Sequence, residues 1–210
     1  MASGIRQMRD CDVTVVDGVL VTTKLRTALD LGRLLPRDRA FAALDALLHA
    51  GVDHDSLLAQ IERFKGDRGV VQLRTLAPLA DGRAESPPES ILRLHWLDAG
   101  LPTPDVQIWV PSEEERRFRI DLGRRDLRYG VEYDGRAYHG GNRAAYDEQR
   151  RRWLREHDDW VIDVFVAEDL FDPQANPQAR LREGVRAARE RSGRWMPESL
   201  YLVKVPPQGE

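Results

Sequence analysis

"RRFRIDLGRRDLRYGVEYDG", residues 116–135, reads as two strands and the turn that joins them. Phe118 and Ile120 alternate with Arg117, Arg119 and Asp121, and Tyr129, Val131 and Tyr133 alternate with Glu132 and Asp134. A period of two marks a pleated strand with one apolar face, so the runs predict strands over 117–124 and 129–134. The same alternation gathers the acids on the polar face. With Arg125, Asp126, Leu127 and Arg128 as the turn, an antiparallel register sets Asp121 across from Glu132, their Cβ atoms roughly 5 Å apart. A turn centred one residue earlier would separate them. Like charges that face one another destabilise a strand pair unless a cation lies between them.

Outward from this hairpin, helix and strand patterns alternate. A helix is expected over 87–99 and a strand over 105–110. After the hairpin come a helix over 143–157, a strand over 160–166 and a helix over 174–191. A helix leading into a strand meander, then a helix and a further strand, predicts an α/β sandwich with a mixed sheet. Upstream the character is different. "DVTVVDGVLVT", residues 12–22, holds two β-branched runs around Asp17-Gly18, a strong hairpin-turn signal. Four helix-like stretches follow, broken at Gly32 and Pro36, Gly51, Gly66 and Pro78. The turn-rich "DGRAESPP" separates this small helical unit from the region beyond. The expected organisation is a hairpin and helical unit over 1–83, an α/β domain over 84–192, and a C-terminal arm or tail over 193–210.

Composition narrows the classes. The 210 residues, 41% of them hydrophobic, suffice for a buried core. Charged residues make up 32%, yet the net charge is only -3, so any nucleic-acid surface must be a local patch. The lone Cys11 excludes an intramolecular disulfide and a cysteine-rich zinc site. No apolar run reaches the roughly 18 residues of a membrane span, and the start carries no signal-peptide pattern, so a cytoplasmic protein is expected. No glycine-rich phosphate loop or nucleophile elbow is present, and His49 and His54 are too isolated to argue for zinc.

The acidic hairpin is the strongest chemical signal. A divalent cation with oxygen ligands suits it, because Mg²⁺ takes one or two carboxylates and completes its shell with water. Each residue also has a plainer reading. Asp121 could pair with Arg119 or Arg128, and Asp134-Gly135 could be an ordinary turn. Glu132 has no such local reason, since an acid inside an apolar strand is costly unless exposed or liganded. In the helix over 143–157, Arg151 and Arg155 lie four apart, flanked by Arg143 and Arg150. That face suits phosphate contacts, or equally a solvated surface salted with Asp147, Glu148 and Glu156.

Asp121, the later "VEYDG" with His139 beyond it, the preceding "SPPES" helix and the tryptophan-led strand resemble an uncharacterised bacterial domain family related to very-short-patch repair endonucleases. That family belongs to the PD-(D/E)XK nuclease superfamily. The resemblance covers roughly residues 84–171 and implies a restriction-endonuclease-like fold acting on DNA with Mg²⁺ or Mn²⁺. It makes Asp121 and Glu132 the metal ligands, with the Tyr133 carbonyl as a third, and aligns Glu89 with the acid of the preceding helix. Ser86-Pro87-Pro88-Glu89 also fits a capping box. Where the superfamily places a lysine, this chain has Asp134, so His139 or Arg136 would supply the proton transfer or positive charge. Val164 and Val166 stand where relatives more often carry an arginine and a threonine. The stretch from "VDGVLVTTKLRTALDL" to "LAPLAD" resembles part of AbiEi-type antitoxin or regulator proteins, without their winged helix. This implies a toxin–antitoxin type of protein partner, and with it a non-catalytic binding or regulatory module as the alternative function.

Overall fold

The structure, a computed structural model, describes residues 7–111, 117–135 and 141–193; for 117 and 141–145 it describes the backbone alone. The C-terminal arm expected from 193 lies outside these residues, Gly193 excepted. The chain forms two compact units, Met1–Ser90 and Ile91–Glu210. Their boundary falls inside a helix, Pro87–Asp98, rather than in the turn-rich stretch before it.

In the first unit β1 (Val13–Val16) and β2 (Val19–Thr22) pair antiparallel across Asp17 and Gly18. Both turn residues have positive φ, 50° and 79°, as a two-residue hairpin turn of right-handed twist requires. Four helices follow: α1 (Lys24–Leu34), α2 (Arg37–His49), α3 (His54–Gln60) and α4 (Val70–Leu76). Thr23 caps α1 by accepting the Arg26 amide at 3.2 Å. The break expected at Gly32 does not occur. The helix runs through it to Leu34, and a Cβ on Gly32 would lie 2.6 Å from Leu73 Cδ1, so the glycine serves close packing. Leu29, Phe41, Leu44, Leu57, Leu73 and Leu76 form the apolar interior.

Buried charge also holds this unit together. Asp12 accepts from Arg26 at 2.7 Å and from Arg63 at 2.5 and 2.8 Å, and Asp30 accepts from Arg26 at 3.0 Å and Arg33 at 2.9 Å. The guanidinium carbons of Arg33, Arg63 and Arg26 lie 4.2, 5.0 and 5.4 Å from the centroid of the Phe64 ring. The hydrogen bond from Arg63, aided by the Arg9 amide and Arg26, outweighs desolvation and holds the Asp12 carboxyl well below the usual carboxylate range.

The second unit is an α/β sandwich. Its sheet has the order β3 (Asp105–Pro111), β4 (Arg117–Arg124), β5 (Tyr129–Tyr133), β6 (Val161–Phe165). The first two pairings are antiparallel and the last is parallel, so the sheet is mixed. Parallel neighbours need a crossover, and α6 (Gly141–Asp158) supplies it. On one face Ile108, Val110, Phe118, Ile120 and Ile162 pack with Leu154 and Trp153 of α6 and with Trp160. On the other, Leu122, Tyr129, Val131 and Phe165 meet Leu92 and Trp96 of α5 (Pro87–Asp98), Leu170 of α7 (Ala167–Phe171), and Leu181 and Val185 of α8 (Pro177–Ser192). The short α7 was not expected from the sequence, and α8 starts at Pro177 because Asn176 caps it, accepting the Ala179 amide at 3.0 Å. Among the described residues no helix is long and apolar enough to cross a membrane.

Candidate acidic site on strands 4 and 5

The turn between β4 and β5 has the residues expected of it. Arg125–Leu127 form a single 3₁₀ turn and Arg128 takes the left-handed conformation, φ 47°. The ladder then pairs Arg124 with Tyr129, Gly123 with Gly130 and Leu122 with Val131. The ladder ends there, and Asp121 and Glu132 are the next residues on their strands.

Asp121 marks an irregularity in β4. Phe118 and Ile120 belong to the core under α6, whereas Leu122, two residues on, belongs to the opposite core. A regular strand would keep all three on one face, so the inward side changes between 120 and 122. Across on β3, Gln107 has φ 53°, and the β3–β4 pairing passes from Val106–Leu122 to Ile108–Ile120 around it. Such bulge-like irregularities re-aim a side chain or end a pairing. Here the Asp121 carboxylate takes over from the ladder, its Oδ2 accepting the Tyr133 amide at 2.9 Å. Gly130 permits the arrangement, because a Cβ there would lie 2.5 Å from Ile120 Cγ2.

Glu132 lies on the face of β5 opposite Tyr129 and Val131, toward α6, and is only 6% exposed. Its Oε2 accepts Arg150 Nη2 at 2.6 Å, while Arg150 Nη1 donates to the Arg119 carbonyl at 2.9 Å. Glu132 Oε1 is enclosed and has no hydrogen-bond partner among the described residues. Burial alone would lower the Arg150 pKa. The hydrogen bond and charge of Glu132, with the charges of Asp147 and Asp121, outweigh this and raise it. Arg150 thus pairs with Glu132 and also feels the negative charge of Asp121. Beside Glu132 in the parallel register sits Val164, so the cation at this acid comes from the helix and not from β6.

The other expected residues are placed as follows. Asp134 is just beyond β5, its amide donating to the Phe165 carbonyl at 2.8 Å. Burial first, then the charges of Glu168 and Asp134, push the Tyr133 hydroxyl pKa up. Ser86 and Glu89 cap the start of α5: Ser86 Oγ accepts the Glu89 amide at 3.4 Å, Glu89 Oε1 accepts the Ser86 hydroxyl at 2.8 Å, and Oε2 accepts the Glu85 amide at 3.1 Å where the Ser86 amide was expected. Arg136 and His139 lie outside the described residues, as does the side chain of Arg143. Arg155 is exposed, and Arg151 is partly covered, 3.6 Å from Glu148. Arg150, expected beside them on a phosphate-facing surface, instead turns inward. Its spacing of three and four residues from Trp153 and Leu154 is the signal that places it on the apolar stripe.

A second polar pair on this sheet has no counterpart in the sequence reading. Tyr129 donates its hydroxyl to Asp163 at 2.7 Å, and burial, reinforced by Asp163, pushes the Tyr129 pKa up. Among the described residues no three His, Cys, Asp or Glu side chains gather to hold a metal. The enclosed, unpartnered Glu132 oxygen suits a cation, and a two-carboxylate set suits Mg²⁺ or Mn²⁺, which fill their remaining positions with water.

No family model and no solved structure matches the chain. Its curated relatives include the uncharacterized proteins Rv2248 and MT2308 of two strains of Mycobacterium tuberculosis. Each is 34% identical over 176 residues, which is 83% of this chain and 65% of the relative. The chain therefore spans less than two thirds of the length of these relatives.

Proposed function

We propose that the second unit hydrolyses phosphodiester bonds of DNA in the cytoplasm, using Mg²⁺ or Mn²⁺ held by Asp121 and Glu132. The observation that carries this reading is Glu132 itself, a carboxylate buried in a sheet with one oxygen lacking any donor among the described residues, just past the Leu122–Val131 pair that ends the ladder next to Asp121. So costly a group gains nothing for packing. The resemblance to very-short-patch repair endonucleases and their superfamily points the same way.

The chain's own residues have separable tasks. The Tyr133 amide fixes Asp121, and without metal Arg150 holds Glu132. When bound, the metal supplies an activated water and offsets charge on the phosphate. Arg155 and Arg151 on α6 contact the DNA backbone, which positions the substrate without reading its sequence. His139 and Arg136 act in proton transfer or charge balance at the leaving oxygen.

The Glu132–Arg150 ion pair also favours a second reading, a non-catalytic module that binds nucleic acid or a toxin-type protein partner, because the pair neutralises one of the two acids. One experiment separates the readings. Purified protein is incubated with plasmid DNA and Mn²⁺ or Mg²⁺, with EDTA as control, alongside Asp121→Asn. Metal-dependent nicking that Asp121→Asn abolishes supports the nuclease. DNA binding without cleavage, and without any metal-dependent rise in melting temperature, supports the module.

A further inference from the structure

Resting on the metal-site reading above, we infer that Arg150 is a tethered counter-cation of the acidic site, which a divalent metal must displace from Glu132 before it can bind there. Metal loading and the Glu132–Arg150 contact are then mutually exclusive states of one site.

Three features carry the inference. Charge comes first. Asp121 and Glu132 together supply two negative charges, and Arg150, held between Glu132 Oε2 at 2.6 Å and the Arg119 carbonyl at 2.9 Å, cancels one of them. A dication brought beside a fixed guanidinium is repelled by it, so the site cannot favour both cations at once. Access comes second. Glu132 is 6% exposed, its Oε1 is enclosed, and its Oε2 carries the guanidinium, so a ligand reaches the carboxylate only if a contact opens. The flexible partner is the one at the end of a long side chain.

Geometry is the third. Arginine pairs most strongly with carboxylate as a two-toothed fork. Here only one nitrogen meets Glu132 while another is diverted to the backbone, and one carboxylate oxygen has no donor among the described residues. The ion pair is thus incomplete, the condition expected of a contact that exchanges. The adjacent strand offers no substitute cation at this position, since the register partner of Glu132 on β6 is Val164.

The test is a Mn²⁺ titration of the full chain without DNA, read as the rise in melting temperature and as heat of binding, for the natural protein, Arg150→Gln and Arg150→Lys. Glutamine keeps a donor for Glu132 and removes the charge, so Arg150→Gln is expected to bind Mn²⁺ about tenfold or more tightly than the natural protein. Arg150→Lys keeps the charge and stays close to the natural protein. Equal or weaker Mn²⁺ binding by Arg150→Gln overturns the inference. If Arg150→Gln does not fold, the natural protein decides alone: exchange of the Arg150 guanidinium protons, followed by NMR, is expected to speed up at saturating Mg²⁺, and unchanged exchange overturns the inference. Tight metal binding by the natural protein with that exchange unchanged leaves the metal site standing and removes only Arg150's role. Absence of metal binding in every form removes both.

Discussion

Arg150 Nη2 meets Glu132 Oε2 at 2.6 Å across the α6 face of the sheet, and both groups are largely shielded from water. The pair is the electrostatic hinge of the second unit. It stabilises a buried acid that packing alone would reject, and it decides how much negative charge the site presents.

Breaking that pair from one side is expected to be far more harmful than replacing both partners. Arg150→Met leaves the Glu132 carboxylate buried and uncompensated, which should cost about 3–5 kcal/mol. The double substitution Glu132→Gln with Arg150→Met should recover most of that loss. Urea unfolding of the two singles and the double forms the cycle that measures it. Additive losses would show that the two groups do not interact.

The acids themselves are tested by metal-dependent stability. If these acids hold a metal, Asp121→Asn and Glu132→Gln should each remove any Mn²⁺-dependent rise in melting temperature and any metal-dependent nicking, because each deletes a carboxylate charge while keeping its size. An unaltered metal shift in both variants would place the cation elsewhere.

The arginine face of α6 makes a different prediction. Arg151→Ala with Arg155→Ala should weaken DNA binding alike for all sequences and flatten its salt dependence, by roughly 0.9 in the log–log slope for each phosphate no longer neutralised. Fluorescence anisotropy at several salt concentrations gives the slope. An unchanged slope assigns these side chains to a solvated surface.

In the first unit the acid limb of stability should depend on Asp12. Its folded pKa is depressed, chiefly by the Arg63 hydrogen bond, so its contribution is fully present above the unfolded carboxyl pKa of about 4 and is lost as pH falls below it. Asp12→Asn should therefore lower stability at neutral pH and flatten the dependence of stability on pH below about 4. Chemical unfolding at a series of pH values compares the slopes. Parallel curves would mean that Asp12 titrates alike in the folded and unfolded chains.

Close packing behind the site is tested at Gly130. A Cβ there meets Ile120 Cγ2 at 2.5 Å, so Gly130→Ala should destabilise by about 1–3 kcal/mol. Ile120→Ala removes that methyl group, so Gly130→Ala should cost less in an Ile120→Ala background, as thermal melts would report.

Local pattern alone determined a good deal. Alternation at residues 117–124 and 129–133 set two strands, the turn residues 125–128 set their register through Leu122–Val131, and Asp17-Gly18 set the N-terminal hairpin, whereas the polar face expected for the acids is a second apolar core in which Glu132 is buried. Ser86 and Glu89 announced a capped helix start, with Ser86 Oγ accepting the Glu89 amide. These features depend on residues a few positions apart, whose geometry the backbone fixes. The tertiary structure decided what those residues touch. Spacing puts Arg150 on the inward stripe of α6, and the docking of that helix on the sheet decides that it meets Glu132. The change of inward face at Asp121 arises where β4 lies between two cores, and alternation by itself cannot show it. The Asp12–Arg63 bridge joins residues far apart in the chain, and it forms only because the helices of the first unit bring those charges together where water no longer screens them.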